Sequence, residues 1–208
     1  DGDAQITAQV EDALRQSVYG TNELNRLIGH QGGVLGVAIS PDGELFATGS
    51  NDKTVRIWKR DGTLLLTLPQ KATPFRVVFS PDSRQLVAGG NDGTIHLWHL
   101  DGTGTKTTLK ATLRQRIQAH KAPIWGIAFS PDGKLLASAS ADTTAKLWRL
   151  DGTLQATLTG HQKAVWAVAF SPDSQMVASA GVDNNVKLWN VNGNLLGILP
   201  GHQAPVWS

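Results

Sequence analysis

The 208 residues include no cysteine, which excludes disulfides, thiolate metal sites and cysteine nucleophiles. Methionine and tyrosine occur once each. Charge of one sign is also lacking: 19 Lys and Arg face 17 Asp and Glu, a formal net charge of +2. That bias is too small to argue for a nucleic-acid partner, despite a pI near 9.0. Long apolar runs are missing as well. The longest purely aliphatic stretch, Leu64-Leu65-Leu66, falls far short of the ~20 residues a membrane-spanning helix requires. The opening Asp1-Gly2-Asp3 is acidic and has no basic region followed by an apolar core, so no signal peptide is expected. These absences predict a soluble, cytoplasmic chain with no membrane partner. A first residue of Asp rather than Met suggests a piece of a longer protein.

What is present is a globular balance, 40% hydrophobic and 17% charged, with 22 glycines and 7 tryptophans. Tryptophan is ordinarily rare, so its frequency asks for a repeated use. The sequence Ser-Pro-Asp-(Gly/Ser) begins at Ser40, Ser80, Ser130 and Ser171. A Leu/Ile-Trp pair ends at Trp58, Trp98, Trp148 and Trp189, with the same intervals. Asp52, Asp92, Asp142 and Asp183 precede these tryptophans at a fixed distance, and His30, Gln70, His120 and His161 precede the serines. Internal repetition at about forty residues is the mark of a propeller or solenoid. The units run over about 30–69, 70–119, 120–160 and 161–201, and His202 opens a fifth.

Within a unit the pattern is all-β. Runs such as Val165 to Phe170 end in a Pro-Asp turn, where Pro presets φ and Gly43 or Gly133 suits a left-handed position; Ser83 and Ser174 fill it less comfortably. Later runs meet turns at Asn51-Asp52 and Asp61-Gly62. Four short antiparallel strands per unit make a propeller blade, so the expected fold is all-β, with about four complete blades plus partial ones over 21–208. Glu23 to Ile28 sits where a fourth strand of an earlier blade would lie.

These residues resemble Trp-Asp (WD) repeats from about residue 22 onward, carried by Gly29-His30…Asp52…Trp58, Ala119-His120…Asp142…Trp148 and Gly160-His161…Asp183…Trp189. The Asp that follows Trp in the family is replaced by Lys59, His99, Arg149 and Asn190. The resemblance implies hydrogen-bond networks rather than catalytic triads: His30, Thr48, Asp52, Trp58; His120, Ser138, Asp142, Trp148; and His161, Ser179, Asp183, Trp189. A buried indole N–H and a buried imidazole each need a partner, and enzymes seldom repeat a triad three times. In the second unit Gln70 replaces His and Gly89 stands for the hydroxyl residue, so that blade is expected to rely on apolar packing and turn bonds. Thr54, Thr94 and Thr144, with Asn185 in the fourth unit, are expected to tie the turn after each Asp.

One recurring position holds Leu35, Phe75, Trp125, Trp166 and Trp207 at the start of the innermost strand. By resemblance this end of a propeller is where partners bind, and large aromatics suit interface hot spots; packing between blades is the alternative. Asn51 and Asn91 should lie on the same end, and Arg76 could project into the channel. The longer second unit carries an insert in which Thr103 to Gln118 holds Lys106, Lys110, Arg114 and Arg116 with no acid. It reads as an extended, solvated hairpin or as a contact for an acidic partner.

Residues 4–18 place Ile6, Val10, Ala13, Leu14 and Val18 at helical spacing, so residues 1–20 are expected to be an amphipathic helix and linker. The run from Ala13 to Leu27 is similar to linkers into WD arrays of large bacterial, especially cyanobacterial, multidomain proteins. No phosphate loop, metal motif or carboxylate pair occurs, so neither cofactor nor metal is expected and the chain is not read as an enzyme. The function expected is a non-catalytic scaffold or sensor for a protein partner, part of a larger signalling protein. The alternatives are an architectural fragment that self-associates through blade edges and, third, a propeller enzyme with a channel substrate.

Overall fold

The computed structural model describes residues 26–102, 109–200 and 202–206. The expected helix over residues 4–18, the greater part of the linker and Trp207 lie outside them. Among the described residues sixteen strands follow one another. Blade one comprises β1 (Val34–Ile39), β2 (Leu45–Ser50), β3 (Thr54–Lys59) and β4 (Leu64–Pro69). Blade two comprises β5 (Pro74–Phe79), β6 (Gln85–Gly90), β7 (Thr94–Asp101) and β8 (Lys110–Gln118). Blade three comprises β9 (Ile124–Phe129), β10 (Leu135–Ser140), β11 (Ala145–Arg149) and β12 (Leu154–Leu158). Blade four comprises β13 (Val165–Phe170), β14 (Met176–Gly181), β15 (Val186–Asn190) and β16 (Leu195–Leu199). Each blade is one antiparallel sheet with its strands paired in chain order. Residues 26–28 form no strand, so the described part of the stretch expected to be an extra fourth strand is not one.

The Pro-Asp turn closes the first hairpin of every blade. The Ser hydroxyl donates to the Asp two residues on and accepts the N–H of the first residue region of the next strand, as Ser40 does with Asp42 and Leu45. The residue after Asp is left-handed in all four, with φ of 75°, 59°, 70° and 61° at Gly43, Ser83, Gly133 and Ser174. A side chain there is strained, and the two serines have a compensating use. The Asp42 N–H donates to Ser83 Oγ at 3.2 Å, and the Asp132 N–H to Ser174 Oγ at 3.1 Å. Each clip joins one blade to the next.

The joints therefore alternate. Between blades one and two, and again between three and four, there is a serine clip at one end and a tight backbone approach at the other. A Cβ added to Gly36 would meet the Phe75 carbonyl at 2.9 Å, and one on Gly126 the Trp166 carbonyl at 2.8 Å. The joint between blades two and three lacks the clip, because Gly133 stands where the serine would be. There Arg76, at the position of Gly36 and Gly126, donates from Nε to the Trp125 carbonyl at 2.6 Å.

The apolar core lies between successive blades. Leu45, Ala47, Val55 and Ile57 of blade one pack on Val77, Phe79 and Trp98 of blade two, and equivalent clusters follow between two and three and between three and four. The inner strands β1, β5, β9 and β13 pack in that order, with no comparable packing of β13 on β1. Val37 and Ile39 on the free face of blade one are 67% and 60% exposed, and Leu196 and Leu199 on β16 are 54% and 52% exposed. The described array is thus open. The insert lengthens the hairpin of β7 and β8, pairing Asp101 with Lys110. It also has a buried root: Leu100 and Leu109 join the core between blades one and two.

Ser83→Ala should lower stability by about 1 kcal/mol, because it keeps the strained φ but removes the acceptor of the Asp42 N–H. Ser83→Gly should cost less, since glycine relieves the strain. Denaturant midpoints of the two variants check the order.

Candidate interaction face

In three blades one continuous chain of hydrogen bonds runs from the first residue of the repeat to its tryptophan. His30 Nδ1 lies 2.8 Å from Asp52, His30 Nε2 lies 2.7 Å from Thr48 Oγ1, and Trp58 Nε1 donates to Thr48 Oγ1 at 2.9 Å. In blade three the same distances are 2.9, 2.8 and 2.9 Å through Asp142, His120, Ser138 and Trp148. In blade four they are 2.9, 2.8 and 2.8 Å through Asp183, His161, Ser179 and Trp189.

The protons can be assigned along this chain by elimination. The indole can only donate, so the hydroxyl oxygen accepts from it and turns its own proton to His Nε2. Nε2 is then bare, and the Nδ1–H donates to the carboxylate. Every donor has an acceptor only if the imidazole is neutral. Burial lowers the His120 pKa below its ordinary value, outweighing the opposing pull of Asp142. Burial pushes the Asp142 carboxyl upward, but bonds from Thr144 and the neighbouring His120 outweigh it and hold it low. Asp183 behaves likewise through His161 and the Gln162 N–H, and Asp52 through Thr54, His30 and the Gln31 N–H.

Ser138, His120 and Asp142 have the connectivity of a hydrolytic triad, yet this geometry has no nucleophile to offer. Ser138 is fully buried, Ser179 and Thr48 nearly so, and each hydroxyl already holds an indole. The arrangement satisfies buried groups and fixes the loop to the third strand.

Blade two departs from this. The register pairs Val77 with Ala88 as it pairs Val37 with Thr48, so Ala88, not Gly89, occupies the hydroxyl position. Sequence offered no polar residue to mark the place, and two small residues lie side by side. Gln70 turns back to the Leu68 and Pro69 carbonyls. Thr94 Oγ1 donates to Gln118 instead of Asp92, and Gln118 bonds the Asp92 and His120 carbonyls. Thr54 and Thr144 do bond their own Asp, and Asn185 Nδ2 donates to the Asp183 carbonyl.

Sequence reasoning missed a further position, two residues before each tryptophan. Arg56 lies 6.0 Å from the Trp58 ring centre and Lys146 5.7 Å from that of Trp148, and Lys187 is buried at the same place. Arg56 Nη2 also lies 3.8 Å from Asp52. In blade two His96 stacks on Trp98 at 5.6 Å. A basic residue recurring on alternate strand positions was the available signal.

The second-to-third-strand and fourth-to-first-strand loops form one end of the array. There Phe75 stacks on Trp125, with centroids 4.8 Å apart and planes 10° from parallel, and Trp125 lies 6.1 Å from Trp166. These three residues, from three blades, make one half-buried aromatic row. Leu35 is exposed at 42%, and Asn51 and Asn91 are exposed at the loop tips. Arg76 is exposed but tied to the Trp125 carbonyl rather than unengaged. Among the described residues no cluster of three His, Asp or Glu is placed to hold a metal.

Comparison with known proteins agrees with this geometry. The family described as WD domain, G-beta repeat matches four times, over residues 21–59, 62–99, 111–149 and 152–190. A stretch of 48 residues, 22% of this chain and 11% of the relative, is 52% identical to the pre-mRNA-splicing factor PRP46 of Yarrowia lipolytica. Another of 44 residues, 21% of this chain and 4% of the relative, is 46% identical to protein HIR1 of the same organism. Both relatives are fungal, and the matched stretch is a small part of each.

Two outcomes follow from the relay. Gln70→His alone should add less than about 1 kcal/mol, because no hydroxyl waits at position 88; combined with Ala88→Ser it should add more than the two single changes together. A double-mutant cycle in denaturant measures this. As pH falls below 6.5 the unfolded His120 and His96 take up protons that the folded ones resist, so stability should decline there. The depressed carboxylates contribute stability above 3.8 that is lost as pH falls below it, giving a second, steeper decline. Melting temperatures across this range give the test, and a flat profile between the two values would contradict the first part.

Proposed function

The chain belongs to the WD-repeat family, and we propose that it is a non-catalytic protein-interaction module whose contact surface is the end bearing Phe75, Trp125 and Trp166. WD repeats as a class are protein-interaction scaffolds. The observation that carries the choice of surface is the aromatic row. Three large rings from successive blades meet in one half-exposed patch, and such rings dominate interface energetics. The hydroxyls that would be needed for chemistry are buried in the relays, which favours a binding role over a catalytic one. Arg76 is already engaged by a backbone carbonyl, which weakens the channel-enzyme alternative.

On this reading the module works in the cytoplasm, within a larger signalling protein that carries an effector elsewhere. The linker-like stretch from Ala13 to Leu27, resembling those of bacterial multidomain proteins, supports that context. The partner is a protein. The exposed Val37, Ile39, Leu196 and Leu199 favour a second reading, self-assembly through blade faces; the mass of the chain in solution separates the two, a monomer removing the second.

Quenching of tryptophan fluorescence by a neutral solute tests the surface. Trp125→Phe and Trp166→Phe should each remove quenchable emission, and Trp58→Phe should not. Full protection of Trp125 and Trp166 would overturn the reading.

A further inference from the structure

We infer that the partner bound at this end is an acidic linear segment, one in which Asp or Glu side chains flank a bulky apolar residue. The inference rests on the interaction-face reading and adds the chemistry of the partner.

The argument is the way charge is distributed along the propeller axis. A nearly neutral chain can still carry unpaired charge at one end. Strand alternation sends the Pro-Asp turns and the third-to-fourth-strand turns to one end, and with them Asp42, Asp82, Asp132, Asp173, Asp61 and Asp151; Lys59, Arg84, Lys134 and Arg149 lie beside four of these carboxylates and offset them. The aromatic end differs in which charges are left without a counter-charge. Lys53, Lys71, Lys121 and Lys163 all lie in its loops and all are exposed, and Arg76 lies beside the row. None of these four lysines forms an ion pair among the described residues.

The carboxylates at the same end are mostly committed inward. Asp52, Asp142 and Asp183 each take a histidine N–H. Arg56, Lys146 and Lys187 supply a cation beside each relay on the neighbouring strand. Asp92, in the blade without a relay, is the carboxylate left exposed. A ligand approaching this end therefore meets a rim of lysines around an aromatic centre. Desolvated apolar contact at the centre with complementary charge at the rim is the usual division between affinity and steering. Asn51 and Asn91, exposed at the loop tips, offer carboxamides for the main chain of an extended peptide.

Single-stranded nucleic acid would also use cations and rings, but it needs ring faces free for base stacking. Here Phe75 and Trp125 each take up one face of the other, being stacked almost parallel, and Trp166 flanks Trp125, which leaves little ring face for successive bases. The basic residues of β8, including Lys110 and Arg114, lie on the outer strand of blade two and belong to a separate surface.

The test is selection of a random peptide library on the whole chain, followed by binding measurements on the enriched peptides. Acidic peptides with a bulky apolar residue should be enriched. Their affinity should fall with salt and by about tenfold with Lys71→Glu combined with Lys121→Glu. Trp125→Ala should weaken them too, and Lys110→Ser with Arg114→Ser should leave them unchanged. Enriched peptides that bind the lysine variant as well as the parent would overturn the acidic-segment inference and leave the face standing. Peptides indifferent to Trp125→Ala, or no enrichment at all, would overturn both. Tighter binding of single-stranded oligonucleotides than of any peptide would replace the acidic segment by nucleic acid. Loss of binding on the β8 substitutions would place the acidic contact elsewhere and overturn the inference.

Discussion

The requirement that a buried indole N–H find an acceptor organises this structure. A tryptophan near the end of the third strand fills much of the space between blades, but its N–H must be answered where water does not reach. The answer is a hydroxyl on the second strand, which must then place its own proton, and the imidazole takes it. The imidazole in turn needs an acceptor for its second N–H and finds the carboxylate of the neighbouring turn. One buried donor thus recruits three further residues from three different segments, and the blade's loop, second strand and third strand are locked in a single register. The chain has a direction, from indole to carboxylate, and only a neutral imidazole fits it.

Blade two shows what happens when the recruitment fails. With Ala88 in place of the hydroxyl and Gln70 in place of the imidazole, the carboxylate of Asp92 is left at the surface and the nearby bonds are redrawn through Gln118. His96 stacks on the ring from the strand side. The blade keeps its sheet because neighbouring blades press on it from both faces, with Leu86 and Ala88 in one core and Val87 and Leu97 in the other. The relay is therefore dispensable in a blade enclosed on both sides. Its absence leaves the aromatic end of that blade with different chemistry from the others.

Much of this was legible in the sequence because a blade's geometry is rigid. Fixed spacing of Ser, Asp and Trp determines where strands begin and end, and the members of three relays could be named from their offsets. The hydroxyl position of blade two was misplaced at Gly89, although the offset to tryptophan shared by Thr48, Ser138 and Ser179 already points to Ala88; with no polar side chain there, the eye passes to the next small residue, and the backbone pairing restores the position. The basic residue two places before each tryptophan was overlooked because Arg, Lys and His read as ordinary surface residues on an alternating strand. The row of unpaired lysines at the aromatic end was hidden for a different reason. Net charge sums over the chain and does not distinguish a lysine beside a carboxylate, such as Lys134 at Asp132, from one left without a counter-charge.

The alternating joints have a consequence for how such an array can be cut and recombined. Serine clips and close glycine contacts join the first blade to the second and the third to the fourth, while an arginine strap joins the second to the third. Blade two or blade three, lifted from this array, would carry half of one kind of joint on one side and half of the other kind on the other. Strict alternation needs an even number of joints, so a closed ring of an odd number of such blades must set two joints of the same kind side by side.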